Sequence, residues 1–124
     1  MNAGNKTSPE FVLSGIKVID FSRLLPGPWA SQMMADFGAE IIKVEQPGLG
    51  DGARHNPPNY ATTSAYFHSV NRNKRGIALD LAKPEAQAIA HKLIAKADVV
   101  LESYRVGVTK KLGIDYESCK KLND

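Results

Sequence analysis

Residues 13–45 read LSGIKVIDFSRLLPGPWASQMMADFGAEIIKVE, and this stretch decides the fold. Runs of β-branched residues at 16–19 and 41–44, each interrupted by one lysine, are typical of strands in a largely buried parallel sheet. Between them, Pro28 suits the first turn of a helix and Gly38 suits the position just after its end. The stretch therefore predicts a strand–helix–strand unit, and a ligand would meet its first strand at the loop over residues 21–28.

The rest of the chain continues the alternation of strands and helices. After a long irregular loop at 46–63, we expect a helix at 64–70, a strand at 77–81, an amphipathic helix from Pro84, a strand at 98–102, and short helices over 106–112 and 116–122. This order predicts an α/β fold with a Rossmann-like parallel sheet of about four strands and flanking helices. We expect a loose leader at 1–12 and a partial domain at 13–124, because such a sheet leaves its edges uncovered.

The composition favours an ordinary globular domain. Of the 124 residues, 43% are hydrophobic and 23% are charged, and the formal net charge is +3. That excess is too small to indicate nucleic-acid binding, and no apolar run approaches the ~20 residues that a membrane span needs. The single cysteine, Cys119, excludes an internal disulfide, and residues 1–10 lack the apolar segment of a signal peptide. The sequence predicts a cytoplasmic protein without nucleic-acid or membrane partners.

Motifs for catalysis and metal binding are missing from the sequence. The three histidines are scattered, and no nucleophile is spaced from a base as catalysis requires, so we predict no catalytic residue and no metal site. The glycines at 48, 50 and 52 have the wrong spacing for a dinucleotide-binding loop. The turn at 71–76 carries Arg72, Lys74 and Arg75, which could hold phosphates or be a solvated cationic turn. The residues alone indicate an α/β domain whose ligand could bear a phosphate.

Seven segments carry a resemblance to a known family. They are LSGIKVIDFSR (13–23), PGP (26–28), ADFGAEIIKVEQPG (35–48), GDGAR (50–54), NRNKRGIALDL (71–81), ADVVLESYR (97–105) and GVTKKLG (107–113). In this order they resemble the amino-terminal part of the class III coenzyme A-transferases, which include carnitine and bile-acid CoA-transferases and α-methylacyl-CoA racemases. The resemblance implies a CoA-binding domain of Rossmann type.

The resemblance also implies where coenzyme A would contact this chain. Residues 24–26 would pack on the thioester side, the backbone of 79–81 would receive the adenine portion, Tyr104 would stack on the nucleotide, and Lys111 would pair with the phosphates. The full set of implied contact residues is Leu24, Leu25, Pro26, Gln46, Leu79, Asp80, Leu81, Ser103, Tyr104, Arg105 and Lys111. Core packing is the alternative for the four leucines, and simple surface exposure is the alternative for Tyr104 and Lys111.

Two departures from the family pattern bear on the substrate. Gln46 stands where many relatives carry an arginine near the CoA phosphates, so one charge-assisted contact would be missing. Leu25 stands where formyl- and oxalyl-CoA transferases carry a glutamine, which makes formyl-CoA and oxalyl-CoA less expected as substrates. The sequence LLPGP at 24–28 is nearer to the racemase-like branch.

Three functional hypotheses follow. In the first, this is the amino-terminal CoA-binding part of an acyl-CoA transferase, which moves CoA between an acyl-CoA and a free carboxylic acid. The alternatives are an α-methylacyl-CoA racemase-like enzyme and a non-catalytic truncated or split CoA-binding fragment. The resemblance implies that two full-length chains interlock as a homodimer and that the catalytic residues lie beyond Asp124. We therefore expect the 124-residue chain alone to be inactive.

Overall fold

The structure, a computed structural model, describes residues 11–123, so Asp124 and residues 1–10 of the expected leader lie outside the described residues. The predicted strand–helix–strand unit is confirmed as β1 (Lys17–Asp20), α1 (Pro26–Asp36) and β2 (Glu40–Glu45). Helix α1 begins two residues before the predicted Pro28, because both prolines of Pro26-Gly27-Pro28 fit its first turn. It ends as predicted, with Gly38 at a φ of 99° and its N–H bonded to the Ala35 carbonyl.

Apart from two short strands that were not predicted, at 59–60 and 63–64, the remaining elements follow the predicted order. They are β3 (Asn59–Tyr60), β4 (Thr63–Ser64), α2 (Ala65–Ser69), β5 (Lys74–Ala78), α3 (Pro84–Ile94), β6 (Val99–Leu101), α4 (Val108–Leu112) and α5 (Tyr116–Lys120). The loop expected to be irregular contains a 3-10 turn at Gly52–His55 and the small antiparallel β3–β4 hairpin.

The predicted bounds of the third strand of the main sheet are wrong. The strand was expected at 77–81, whereas β5 runs over Lys74–Ala78 and residues 79–81 follow its end. The pairing with β2 begins at Lys74 opposite Ile41. Two cations can occupy the start of this strand because Lys74 and Arg75 each face a carboxylate.

All strands of the main sheet are parallel, in the order β5-β2-β1-β6. Strand β1 is therefore internal, and its residues alternate between the two faces. Val18 packs with Ala35, Ala39 and Ile41, while Ile19 packs in a larger cluster with residues of α3. The carboxyl ends of all four strands meet at one edge, where ligands bind in folds of this type.

Within residues 11–123, no helix has both the length and the apolar character that crossing a bilayer requires.

Candidate functional site

A cavity of about 210 Å³ lies at the carboxyl ends of the four strands. Arg23 follows β1, Glu45 and Gln46 lie at the end of β2, residues 79–81 follow β5, and Tyr104 follows β6. Each strand of the main sheet thus contributes to the wall. A cavity at this edge is the expected ligand site of a parallel α/β sheet.

The cavity brings together five of the eleven residues implied by the resemblance. These are Gln46, Leu79, Asp80, Leu81 and Tyr104. The other six lie outside its wall: Leu24, Leu25, Pro26, Ser103, Arg105 and Lys111. Lys111 is exposed on α4, next to Leu112, which does line the cavity.

Core packing, the alternative to coenzyme A contact, accounts for two of the four leucines and not for the other two. Leu79 and Leu81 are only 6% and 7% exposed and belong to the main hydrophobic cluster, so their side chains have a core role. Only their main chain and the intervening Asp80 can meet a ligand. Leu24 and Leu25 are 50% and 40% exposed, so core packing does not account for them.

A buried ion pair supports one wall of the cavity. Lys43 Nζ lies 2.9 Å from Asp51 Oδ2, and both side chains are almost fully buried. Asp51 Oδ1 accepts the N–H groups of Leu24 and Ala53, each at 3.0 Å. Burial alone would raise the pKa of Asp51, but these N–H groups and the Lys43 ammonium outweigh it and lower the pKa below its usual value. Asp51 is therefore a fixed anion that ties the loop after β2 to the loop after β1.

The hydrogen bond that the Leu24 N–H donates to Asp51 constrains an unusual backbone position. Leu24 has a φ of 67°, in the left-handed region that residues with a side chain rarely occupy. Its N–H is held by Asp51, and the preceding N–H, of Arg23, donates to Ser103 Oγ at 3.1 Å. The loop that presents Leu24 and Leu25 is thus anchored from two neighbouring strand ends.

A second buried network holds the base of the same loop. Asp20 accepts hydrogen bonds from the hydroxyls of Ser22 and Ser31 and lies 3.3 Å from Lys74 Nζ. Lys74 also donates to the Pro28 carbonyl at 2.7 Å. Burial of the ammonium lowers the pKa of Lys74 to about 8, although the Asp20 carboxylate opposes that shift. The network connects β1, α1 and β5.

A third contact fixes the floor beside β2. Arg54 forms a two-pronged pair with Glu45, with both N–O distances at 2.7 Å, and its guanidinium lies 3.8 Å from the centre of the Phe67 ring. Partial burial would raise the pKa of Glu45, but the Arg54 guanidinium and the Asp51 N–H lower it overall. Glu45 is consequently engaged by the protein itself.

The basic turn at 71–76 contains one buried and two exposed cations. Arg72 pairs with Asp36, Arg75 pairs with Glu40, and the Lys74 side chain is buried against Asp20. None of the three cations lines the cavity. The expectation of a solvated turn is therefore wrong for Lys74, which is structural, and phosphate binding by this turn stays a prediction.

Tyr104 closes the side of the cavity next to β6. Its ring lies 4.9 Å from the Arg23 guanidinium carbon, and its N–H donates to Glu102 Oε2 at 2.7 Å. Partial burial raises the pKa of Tyr104, so its hydroxyl stays protonated at neutral pH. The half-buried ring and the cation over it give this wall a planar, positively charged surface.

A larger groove of about 710 Å³ runs along β6 and α5, and it contains none of the eleven implied residues. Across residues 11–123, no group of three His, Cys, Asp or Glu side chains is arranged to hold a metal ion.

The sequence interpretation missed the four buried charges Asp20, Lys43, Asp51 and Lys74. A signal for one of them was present: a lysine inside a β-branched run that is predicted to be buried needs a buried partner. Asp51 could not be paired with Lys43 from sequence, because the seven residues between them include the glycine-containing loop at 46–50, whose path the sequence does not indicate.

Comparison with known sequences shows which family of proteins this chain belongs to. The signature of CoA-transferase family III matches residues 13–124, and the chain belongs to that family.

Among the relatives, the chain is 46% identical over 118 residues to the succinate–glutarate CoA-transferase of Agrobacterium fabrum, covering 90% of this chain and 30% of that protein. It is 39% identical over 114 residues to the formyl-CoA:oxalate CoA-transferase of Bradyrhizobium diazoefficiens, covering 90% and 26%. A crystal structure described as a CAIB/BAIF family protein from Brucella suis superposes with a TM-score of 0.86 at 41% identity, covering 92% of this chain and 31% of that one. The chain thus spans about 30% of the length of such relatives and corresponds to an amino-terminal portion of a CoA-transferase.

Proposed function

We propose that residues 13–124 form a partial CoA-binding domain of an acyl-CoA transferase, which moves CoA between an acyl-CoA and a free carboxylic acid. One observation carries the proposal: residues from all four parallel strand ends converge on one cavity, and five of them are positions that the family resemblance implies for CoA. The relatives reported above are named as transferases, which favours transfer over the racemase-like alternative indicated by LLPGP at 24–28.

In this proposal the cavity receives the nucleotide portion of CoA. Tyr104 offers a ring face for the adenine, the main chain at 79–81 offers hydrogen-bonding groups, and Lys111 on the neighbouring helix offers a cation for the phosphates. The exposed Leu24 and Leu25 form an apolar surface on the far side of Arg23, suited to the pantetheine arm and thioester.

The family resemblance implies that the catalytic residues lie outside residues 13–124. We propose that the chain alone has no transferase turnover, and that in the full-length protein two chains interlock as a homodimer in the cytoplasm. Because one relative is named for succinate and glutarate, succinyl-CoA with glutarate is the first substrate pair to test. Transfer of labelled CoA by the purified chain would overturn the proposed inactivity.

The binding proposal is tested by calorimetric titration of the purified, folded chain with CoA. Tyr104→Ala and Lys111→Ala are each expected to weaken binding. Tyr116→Ala and Lys96→Ala are the matched controls, because both residues are exposed and lie outside the cavity wall. No binding by a folded chain, or equal loss in all four variants, would contradict a preformed CoA half-site in this chain.

A further inference from the structure

Among the described residues, 11–123, Arg23 is the single cationic side chain in the wall of the 210 Å³ cavity. Three carboxylates share that wall, and each already faces a cation: Glu45 faces Arg54, Asp51 faces Lys43, and Asp80 lies 3.7 Å from Lys83. Within residues 11–123, Arg23 forms no ion pair. The charge of the guanidinium is thus available to a ligand.

The main chain around Arg23 is fixed before any ligand binds. Its own N–H donates to Ser103 Oγ at 3.1 Å, and the next N–H, of Leu24, donates to the buried Asp51 at 3.0 Å. The guanidinium itself rests over the Tyr104 ring, with its central carbon 4.9 Å from the ring centre. A side chain held at both its base and its tip loses little conformational freedom when it binds an anion.

The geometry points to a phosphate as the group that Arg23 recognises. A guanidinium presents two parallel N–H donors that match the oxygens of a phosphate, and stacking on an aromatic ring leaves its donor edges free. The neighbouring half-buried ring of Tyr104 suits a nucleobase of the same ligand. Gln46, at the end of β2 in the same wall, is uncharged, so it adds no competing or reinforcing charge.

We propose that Arg23 binds a phosphate of the nucleotide portion of the CoA ligand while its guanidinium remains stacked on Tyr104. This inference rests on the proposed CoA-binding function and adds a phosphate-binding residue that the family resemblance did not indicate. The pantetheine arm makes no contact with Arg23 in this arrangement.

The test is calorimetric titration of the 124-residue chain and its variants with three probes: CoA, adenosine 3′,5′-bisphosphate and pantetheine. Arg23→Gln is expected to weaken binding of the two phosphate-bearing probes about tenfold and to leave pantetheine unchanged. The loss should shrink as salt is raised from about 0.05 to 0.5 M, because screening weakens the charge contribution of Arg23. Lys96→Gln removes one positive charge from an exposed position outside the wall and should bind all probes as the unaltered chain does.

The outcomes separate the two levels of the proposal. If the unaltered chain binds CoA and Arg23→Gln binds it equally well, or loses pantetheine to the same extent, the role of Arg23 is refuted while CoA binding stands. If the folded, unaltered chain binds neither CoA nor adenosine 3′,5′-bisphosphate, the CoA half-site is refuted and the role of Arg23 with it. Far-UV circular dichroism of each variant confirms that the comparison is between folded proteins.

Discussion

Replacing Lys43 with methionine tests whether the buried ion pair with Asp51 holds the cavity wall together. The substitution keeps most of the side-chain volume and removes the ammonium from a site where both partners are almost fully buried. Asp51 Oδ1 would keep the N–H groups of Leu24 and Ala53. Asp51 Oδ2 would lose Lys43, the one polar contact that it has among residues 11–123.

The expected cost follows from that uncompensated oxygen and from the Ser22 carbonyl, which loses the hydrogen bond that Lys43 Nζ donates to it at 2.9 Å. Removing one member of a buried ion pair typically costs 3–5 kcal/mol, and we expect about 3 kcal/mol here because two hydrogen bonds to Asp51 remain. In urea, with a slope of about 1.5 kcal/mol/M, this loss lowers the unfolding midpoint by about 2 M. Far-UV circular dichroism follows the transition.

A double-mutant cycle isolates the pair itself. Asp51→Asn alone places an amide opposite the Lys43 ammonium and should also cost about 3 kcal/mol. Combined with Lys43→Met, the amide no longer faces a cation and still offers an acceptor to Leu24. The double variant should therefore be no less stable than either single variant, giving a coupling of about 3 kcal/mol or more.

Arg75→Met is the matched control, because Arg75 pairs with Glu40 on the surface, where both side chains are about half exposed or more. Its expected cost is below about 1 kcal/mol. If Lys43→Met costs no more than this control, or if the single effects simply add, the argument that Lys43 and Asp51 form an essential buried pair is wrong.

Three further perturbations test other parts of the same loop region. Burial lowers the pKa of Lys74 to about 8, whereas its value in the unfolded chain is near 10.5, so the unfolded state binds more protons between these two pH values. The unfolding free energy should therefore rise by up to about 3 kcal/mol from pH 8 to 10.5, and a Lys74→Met variant should lack that rise. Gly27→Ala places a Cβ 2.2 Å from the Ser22 Cβ and should lower the unfolding free energy by about 2 kcal/mol, whereas the Cβ of Gly76→Ala meets no atom within 4 Å and should leave it nearly unchanged. Equal urea midpoints for the two variants would contradict close packing at Gly27. The pKa of Asp51 is lowered in the folded state, so its stabilisation is present above the unfolded value of about 3.8 and is lost as pH falls through the folded value; acid unfolding that is unchanged in Asp51→Asn would argue against it.

The sequence was sufficient for the order of elements because hydrophobic periodicity carries that information. The runs around Val18 and Ile41 gave the two central strands, and Gly38 marked the end of the first helix. The start of β5 was missed because Lys74 and Arg75 do not fit the pattern of a strand. Their carboxylate partners, Asp20 and Glu40, lie 54 and 35 residues away in the chain, where no local pattern can indicate them.

The candidate site divides in the same way. Gln46, Tyr104 and residues 79–81 were indicated by the family resemblance, and the structure brings them to one cavity. Arg23 was not indicated although it follows the first strand, because the role that we propose for it depends on Tyr104 and on the paired state of three carboxylates. Whether a charged side chain is already paired can be seen only in the folded structure.

The buried charges explain why the loops of the site can be ordered without a ligand. Loops at strand ends are usually the more mobile parts of a fold. Here the loop after β1 is held by Asp20 from below and by Asp51 from the side, and Asp51 is held in turn by Lys43 on the central sheet. A ligand that meets this edge finds Arg23 and Leu24 already in position, so less of its binding energy is spent on ordering the loop. The burial of these four charges thus costs desolvation energy in the fold and stabilises the conformation of the loop after β1.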